Sequence, residues 1–295
     1  MIGPRCRSLV VGLLGLSAAL LVDISPASAV VHHPNGDYAP FAQCPLANPK
    51  TDVCFFAQAE GGELRIGRKA IPITSTITIQ GAIHEDRTSG HQQFIGAEGG
   101  ETFSTAPQAI PGGRFEIAAP RSLPGYVRAI FDEFIDREAT GLTATTELAA
   151  PPSAVQIDTQ NLIEAHSGGL WLPVKIKLTS PLLGEDCYIG SDATPVSIPL
   201  TTGTTPHLPL RSSITGKPGH AHFKDDYNLV TLTDDALVND SFPAPRARGC
   251  GGMLAFLVQP AINAALALPV AAGGNEAILR GTLQTANAPA VKASE

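Results

Sequence analysis

The sequence predicts a mainly β fold: a single β-sandwich or partly open barrel with about two amphipathic helices and two disulfides. Three observations lead to this prediction. Charged residues make up only 16% of the chain while Gly (29) and Pro (25) are abundant, which is typical of turn-rich β proteins. Hydrophobic residues reach 43%, too many for a disordered chain. Several segments also alternate apolar and polar residues, the period of a half-buried strand.

The N-terminal residues 1–29 have the pattern of a secretory signal peptide. A positively charged start precedes an apolar run over residues 9–22, and Ala27-Ser28-Ala29 forms a small-x-small cleavage site. Cleavage after Ala29 would start the mature protein at Val30, in a secreted, extracytoplasmic location. The run is shorter than the about 20 residues of a membrane-spanning helix, so an uncleaved anchor is the alternative. We expect no transmembrane segment after cleavage.

The remaining chain divides into three predicted segments. Residues 30–42 are polar and carry two prolines, which indicates a flexible leader. Strand-like patterns then continue over residues 43–288, which we interpret as a single β-rich domain. Residues 289–295 form the predicted frayed tail. The net charge of −7, without a basic patch, makes a nucleic-acid partner unexpected.

Four cysteines remain after cleavage, because Cys6 leaves with the signal peptide. An even number of cysteines in an exported chain indicates two disulfides, and four cysteines allow three pairings. We favour Cys44–Cys54, which closes a short turn-like loop, and Cys187–Cys250, which cross-links distant parts of the C-terminal half. The chain has no Cys-x-x-Cys motif, which disfavours a metal site at these residues.

Strand patterns are clearest in two places. Residues 71–83 alternate apolar and hydroxyl-bearing side chains, and residues 170–179 place five aliphatic side chains on one face. Shorter patterns occur at residues 142–148, 155–157, 196–200, 230–232 and 278–283. The sequence Ala-Glu-Gly-Gly-Glu occurs at residues 59–63 and again at residues 97–101, each time before a predicted strand. We interpret both copies as Gly-Gly turns.

Two segments follow the helical period. Residues 126–138 repeat apolar side chains at i, i+3 and i+4, with charged residues opposite. This helix either covers one end of a sheet or forms a lid over an apolar cavity. Near the C-terminus, Pro260 suits the first turn of a second helix, which Pro269 ends.

Candidate chemistry is sparse. In a strand, His220 and His222 would share one face, and Asp225, Asp226 or His207 could add ligands for a metal. Because His-x-His is common by chance, we expect neither a metal nor a cofactor at this pair.

The sequence contains two further clusters of polar residues. We expect His84-Glu85-Asp86, with His91, to form an exposed hairpin loop. An acid–base pair for glycoside hydrolysis could come from one group of carboxylates: Glu60, Glu63, Glu98 and Glu101. Nothing in the sequence fixes the separation of these carboxylates. The aromatic content of 5% also argues against a sugar-stacking cleft.

Several phrases resemble a group of secreted actinobacterial proteins without an established function. They are Cys187-Tyr188-Ile189-Gly190-Ser191, Pro199-Leu200-Thr201-Thr202-Gly203, Ile214-Thr215-Gly216-Lys217-Pro218-Gly219 and Gly249-Cys250-Gly251-Gly252. The resemblance spans most of the mature chain and implies one folding unit. It implies no activity and no catalytic residues.

The function that these patterns favour is non-enzymatic. We expect a secreted protein that binds a lipid or another apolar or amphiphilic ligand, or a component of the cell envelope. Long strands with one apolar face and two apolar helices could enclose a cavity for such a ligand. The alternatives are an exported hydrolase whose site is assembled from distant residues, and a purely structural or adhesive surface protein.

Overall fold

The computed structural model describes residues 32–111, 124–126, 128–129, 132–133, 141–166, 168–208 and 212–295. The predicted signal peptide and its cleavage site lie outside these residues. The predicted helix over residues 126–138 lies largely outside them, and its described residues, Tyr126, Arg128, Ala129, Asp132 and Glu133, have helical backbone.

The described part of the chain contains strands and short helices in alternation. In chain order the strands are β1 (Val53–Ile66), β2 (Lys69–Pro72), β3 (Ile77–Glu85), β4 (Gln92–Gly96), β5 (Phe103–Thr105), β6 (Gln108–Ala109), β7 (Thr143–Leu148), β8 (Gln156–Ile157), β9 (Leu170–Thr179), β10 (Tyr188–Ile189), β11 (Val196–Leu200), β12 (His220–Lys224), β13 (Leu229–Asn239), β14 (Ala247–Arg248) and β15 (Glu276–Asn287). The α-helices are α1 (Thr159–Ile163), α2 (Ala255–Leu266) and α3 (Ala288–Ala293), and 3₁₀ turns occur at Gly36–Phe41, Pro152–Ala154 and Gly252–Leu254.

The strands form two antiparallel sheets. Sheet I has the order β12-β13-β15-β1-β3-β4, with β2 beside β1 and β5 beside β3. Sheet II has the order β14-β10-β9-β7-β6, with β8 and β11 also beside β9. Buried side chains from both sheets form one hydrophobic core. Within the described residues the sheets do not close into a barrel, so the mainly β prediction is confirmed in its sandwich form.

Strand β9 is the centre of sheet II and matches its predicted bounds. Its aliphatic residues at alternate positions are all at most 5% exposed, whereas Trp171 on the other face is 42% exposed. The alternation therefore predicts correctly which β9 residues are buried, because one face of β9 packs on the core and the other faces solvent.

The predicted strand over residues 71–83 is divided in two. β2 ends at Pro72 and β3 begins at Ile77. Between them the backbone N–H groups of Thr74 and Ser75 donate to the side-chain oxygen of Gln108, at 2.8 and 2.9 Å. The Gln108 side chain thus takes the place of a neighbouring strand, which period-two alternation alone does not reveal.

The outer face of sheet I carries a second, smaller core. Phe41 of the first 3₁₀ turn and Val291 of α3 are at most 2% exposed and pack there beside Cys44 and Cys54. The backbone N–H of Asn35 donates to the carbonyl of Ser294 at 3.2 Å, which joins the two ends of the described chain. Parts of the segments predicted as a flexible leader and a frayed tail thus pack on the sheet through apolar side chains.

The cysteines pair as Cys44–Cys54 and Cys187–Cys250, the pairing that the sequence favours. The first bond ties the N-terminal segment to β1, and the second joins the start of β10 to the turn after β14. Both pairs are buried. Disulfides of this kind are typical of proteins that function in an oxidising, extracellular compartment.

Two local predictions differ from the structure. Helix α2 begins at Ala255, so Pro260 lies inside it rather than in its first turn. Proline removes one helical hydrogen bond, whose acceptor would be the carbonyl of the exposed Phe256. The first Ala-Glu-Gly-Gly-Glu copy is not a turn: it lies within the long strand β1, where it forms a bulge.

Candidate functional site

Two β-bulges in sheet I meet at one residue of β15. In β13 the register shifts between Thr233 and Asp235, and in β1 it shifts between Ala59 and Gly61. Both shifts lie opposite Gly281, which pairs with Asp235 on one side and with Ala59 on the other. Bulges re-aim side chains and are frequent beside functional sites.

The bulge in β13 turns a carboxylate toward the interior. Before it, Leu232 packs in the core between the sheets, and after it Leu237 does, so the inward positions change from even to odd numbers. Asp234 takes up the extra residue with a left-handed backbone (φ 56°). Without the extra residue, Asp235 would face outward. With it, Asp235 faces the core and is 6% exposed.

Gly281 leaves room at the meeting point of the bulges. A β-carbon at this position would overlap the carbonyl oxygen of Gln58 on β1. Instead, the backbone N–H of Gly281 donates to Oδ1 of Asp235 at 3.1 Å. Glycine therefore allows β15 to approach β1 closely, and the backbone N–H of the same residue donates to the buried carboxyl group on β13.

A cavity lies between the sheets at this level. Its lining is mainly aliphatic and comes from both sheets, including Ala57, Ile79, Leu279, Ala144, Leu172 and Ile198. The space open to the centres of water-sized molecules is ≈ 70 Å³, whereas one water needs about 10–15 Å³ on this measure. Asp235 is the acidic residue in the lining. The site is thus a small apolar chamber with one carboxyl group in its wall.

The environment of Asp235 favours its neutral form. Burial raises the pKa of the Asp235 carboxyl to about 6, although the hydrogen bond from Gly281 opposes this rise. No ion pair involves Asp235 in the described part of the chain. Arg280, the adjacent residue of β15, has an exposed side chain. Near neutral pH the apolar chamber therefore contains a carboxylate, and Arg280, the basic residue of its lining, makes no ion pair with it among the described residues.

This environment predicts a pH-dependent effect of Asp235→Asn on stability. The folded-state pKa of about 6 exceeds the ordinary value of 3.8, so ionisation of this group costs folding free energy as the pH rises from about 4 to 6. We expect Asp235→Asn to raise the free energy of unfolding by roughly 2 kcal/mol at pH 8 and by much less at pH 3.5.

Urea denaturation at both pH values would measure this effect. Asp234→Asn is the matched control, because Asp234 is exposed at the adjacent position and Asn tolerates its left-handed backbone. A gain in stability for Asp235→Asn that is equal at both pH values would contradict the prediction.

A second polar group involves the predicted His84 loop. His84 lies in β3, and its Nδ1 is 2.7 Å from Oδ2 of Asp52. The backbone N–H of Glu85 donates to the same oxygen and, as the main cause, lowers the pKa of Asp52, with a further contribution from His84. His91 and Asp86 lie at the exposed end of the β3–β4 hairpin, as expected.

The Asp52–His84 pair has part of the geometry of a catalytic dyad. A hydrolase would also need a nucleophile within about 2.6–3.2 Å of the other imidazole nitrogen. Among the described residues no hydroxyl group makes a hydrogen bond to the His84 ring. His84 lines an open surface groove together with Ser89 and Ser153.

The His220–His222 pair lies on the edge strand β12, and both side chains are exposed. The ring of His222 is 3.3 Å from the hydroxyl of Thr233 on β13. Asp225 instead accepts a hydrogen bond from Tyr38 at 2.9 Å. In the described part of the chain, no group of three or more His, Cys, Asp or Glu side chains could hold a metal ion.

The four glutamates considered for acid–base chemistry occupy two places. Glu60 and Glu63 lie in β1, where Glu63 pairs with Arg65 at 2.7 Å. Glu98 and Glu101 lie in the turn between β4 and β5, where Glu98 is 3.1 Å from Nε2 of His32. The other ring nitrogen of His32 is 2.6 Å from Glu295. Glu63 and Glu98 therefore have structural partners.

Asp235 was not among the sequence-predicted site residues, although the sequence carries a signal for it. Val230 and Leu232 occupy even positions, whereas Leu237 occupies an odd one, and Thr233-Asp234-Asp235 lies between them. A change of parity within one strand indicates a bulge. The residue after such a bulge is then expected to face the core.

No protein-family model, no curated protein and no solved structure matches the chain. Over the described residues, none of the helices has the length and apolar character needed to cross a membrane.

Proposed function

We propose that the protein is a non-enzymatic, extracellular binder of an apolar or amphiphilic ligand, which it holds between its two sheets. The observation that carries the proposal is the aliphatic chamber lined by residues of both sheets. Apolar chambers in proteins stay dry and take up apolar molecules of matching size. A chamber of this volume suits a short alkyl chain or a small ring.

A groove on the same inner face of sheet I supports this proposal. The next inward positions beyond Asp235 and Gly281 are Leu232 and Leu283, and both line the groove. At its outer end the rings of Phe223 and Tyr227 are 56% and 73% exposed, with centroids 5.2 Å apart. Exposed aromatic side chains beside this groove give an amphiphile apolar surface to contact on the same face of the sheet as the chamber.

The location that we propose rests on two features. The disulfides need an oxidising compartment, and residues 1–29 have the pattern of a signal peptide cleaved after Ala29. A ligand-binding protein outside the cytoplasm would meet lipids and other envelope components. We therefore propose an amphiphile of the cell envelope as the natural ligand.

Native mass spectrometry of the secreted, delipidated protein against a panel of alkyl amphiphiles tests the proposal. We expect saturable binding of one ligand and a protein mass that corresponds to a start at Val30. Ala144→Leu should abolish binding while leaving the fold intact, because the larger side chain fills the chamber that Ala144 lines.

The matched control for Ala144→Leu is Thr145→Leu, which adds an apolar side chain to the same strand at the adjacent, outward-facing position. This control should bind ligand like the unmodified protein. If no amphiphile binds, or if Ala144→Leu binds as well as the control does, the chamber is not a ligand site.

A further inference from the structure

We propose that Asp235 selects the head group of the ligand: the chamber takes amphiphiles whose head donates hydrogen bonds, such as primary amines and alcohols, and rejects carboxylates. This inference rests on the proposed function. It adds a chemical class to what would otherwise be a site for any apolar molecule of suitable size.

The first observation behind this proposal is the position of the Asp235 carboxyl group. Asp235 is only 6% exposed, and it lines the chamber. A carboxylate can accept about four hydrogen bonds. The structure supplies its side chain with one from another residue, from the N–H of Gly281 to Oδ1. Acceptor capacity is therefore left on a carboxyl group that lines the chamber.

The second observation is the distribution of charged side chains around Asp235. The charged side chains nearest along the strands beside it are Arg280 of β15, Glu60 of β1 and Asp234 of β13. All three are exposed, although Arg280 also lines the chamber. Lys217, whose backbone pairs with Ala236, is exposed as well. None of these four residues therefore provides the buried positive charge that an anionic head group would need.

The consequence is a preference between ligands of equal chain length. An ammonium head would form a charge-assisted hydrogen bond with Asp235 in a chamber whose lining is mainly aliphatic. A hydroxyl head would form a neutral donor contact of lower strength. A carboxylate head would place two acceptors and two like charges together in an apolar site, which is unfavourable unless one of them is protonated.

Octylamine, octanol and octanoate, titrated at pH 8 by calorimetry, test the preference. We expect octylamine to bind at least about tenfold more tightly than octanoate, with octanol between them. Asp235→Asn should remove the advantage of octylamine and strengthen octanoate binding, because Asn keeps the acceptor for Gly281 and loses the charge. Asp234→Asn, the exposed neighbour with the same chemistry, should leave all three affinities unchanged.

The outcomes separate this inference from the proposed function. If octanoate binds as tightly as octylamine, or if Asp235→Asn changes neither affinity, the chamber binds alkyl chains but Asp235 does not select their heads. If none of the three ligands binds the unmodified protein, both the proposed function and this inference are overturned. Circular dichroism of each variant would verify that it retains the β fold.

Discussion

Gly281→Ala is expected to lower the free energy of unfolding by at least about 3 kcal/mol, a cost at the upper end for overpacking. The added methyl group would overlap the carbonyl oxygen of Gln58. This atom belongs to the backbone of β1, so no side-chain rotation can relieve the contact. The strands β1 and β15 would have to separate at the centre of sheet I.

The control for this prediction is Gly61→Ala, in the bulge of β1 that pairs with the same part of β15. A β-carbon at Gly61 has no atom within 4 Å, so this substitution should change stability little. Thermal and urea denaturation of both variants would measure the difference. Equal stability of the two variants would show that the bulges can open without cost.

Removing the Cys187–Cys250 disulfide is expected to cost about 4 kcal/mol, and removing Cys44–Cys54 about 3 kcal/mol. The difference follows from the sequence separations of 63 and 10 residues, because a longer cross-linked loop restricts the unfolded chain more strongly. Each bond should be removed by a double Cys→Ala substitution, so that no free thiol remains.

Urea denaturation without reductant would measure both costs, and reduction of the unmodified protein should be at least as destabilising as either double variant. The loop-entropy account would be wrong if loss of the short Cys44–Cys54 loop cost more than loss of Cys187–Cys250. Such a result would mean that the packing of Cys44 and Cys54 in the smaller core, on the outer face of sheet I, determines the cost of removing this disulfide.

The sandwich could be predicted from the sequence because its core strands show one face to the interior. β9 has its predicted bounds, and its aliphatic face is buried as expected. In β1 the Gly-Gly pair predicts a turn, whereas the strand continues through it as a bulge. Glycine serves equally in turns and in bulges, and only the partner strand β15 distinguishes the two.

The candidate chamber could not be predicted because it depends on pairing between distant strands. Asp235 faces inward only as a result of the bulge, and the strand opposite it approaches β1 closely only because Gly281 has no side chain. These two residues are 46 positions apart. The alternation within one segment indicates which of its residues face the core. It does not indicate where the neighbouring strand has a glycine in place of a side chain.

The order of strands in sheet I determines when this protein can finish folding. Among the described strands β1 comes first and β15 comes last, and these two share the longest pairing in sheet I. A chain that emerges N-terminus first therefore presents one edge of β1 unpaired until β15 has emerged. Because contacts of such large sequence separation form slowly, the centre of the sheet is assembled last. Removal of β15 would therefore expose an unpaired edge of β1 in the middle of sheet I, and such an edge is prone to association with other chains.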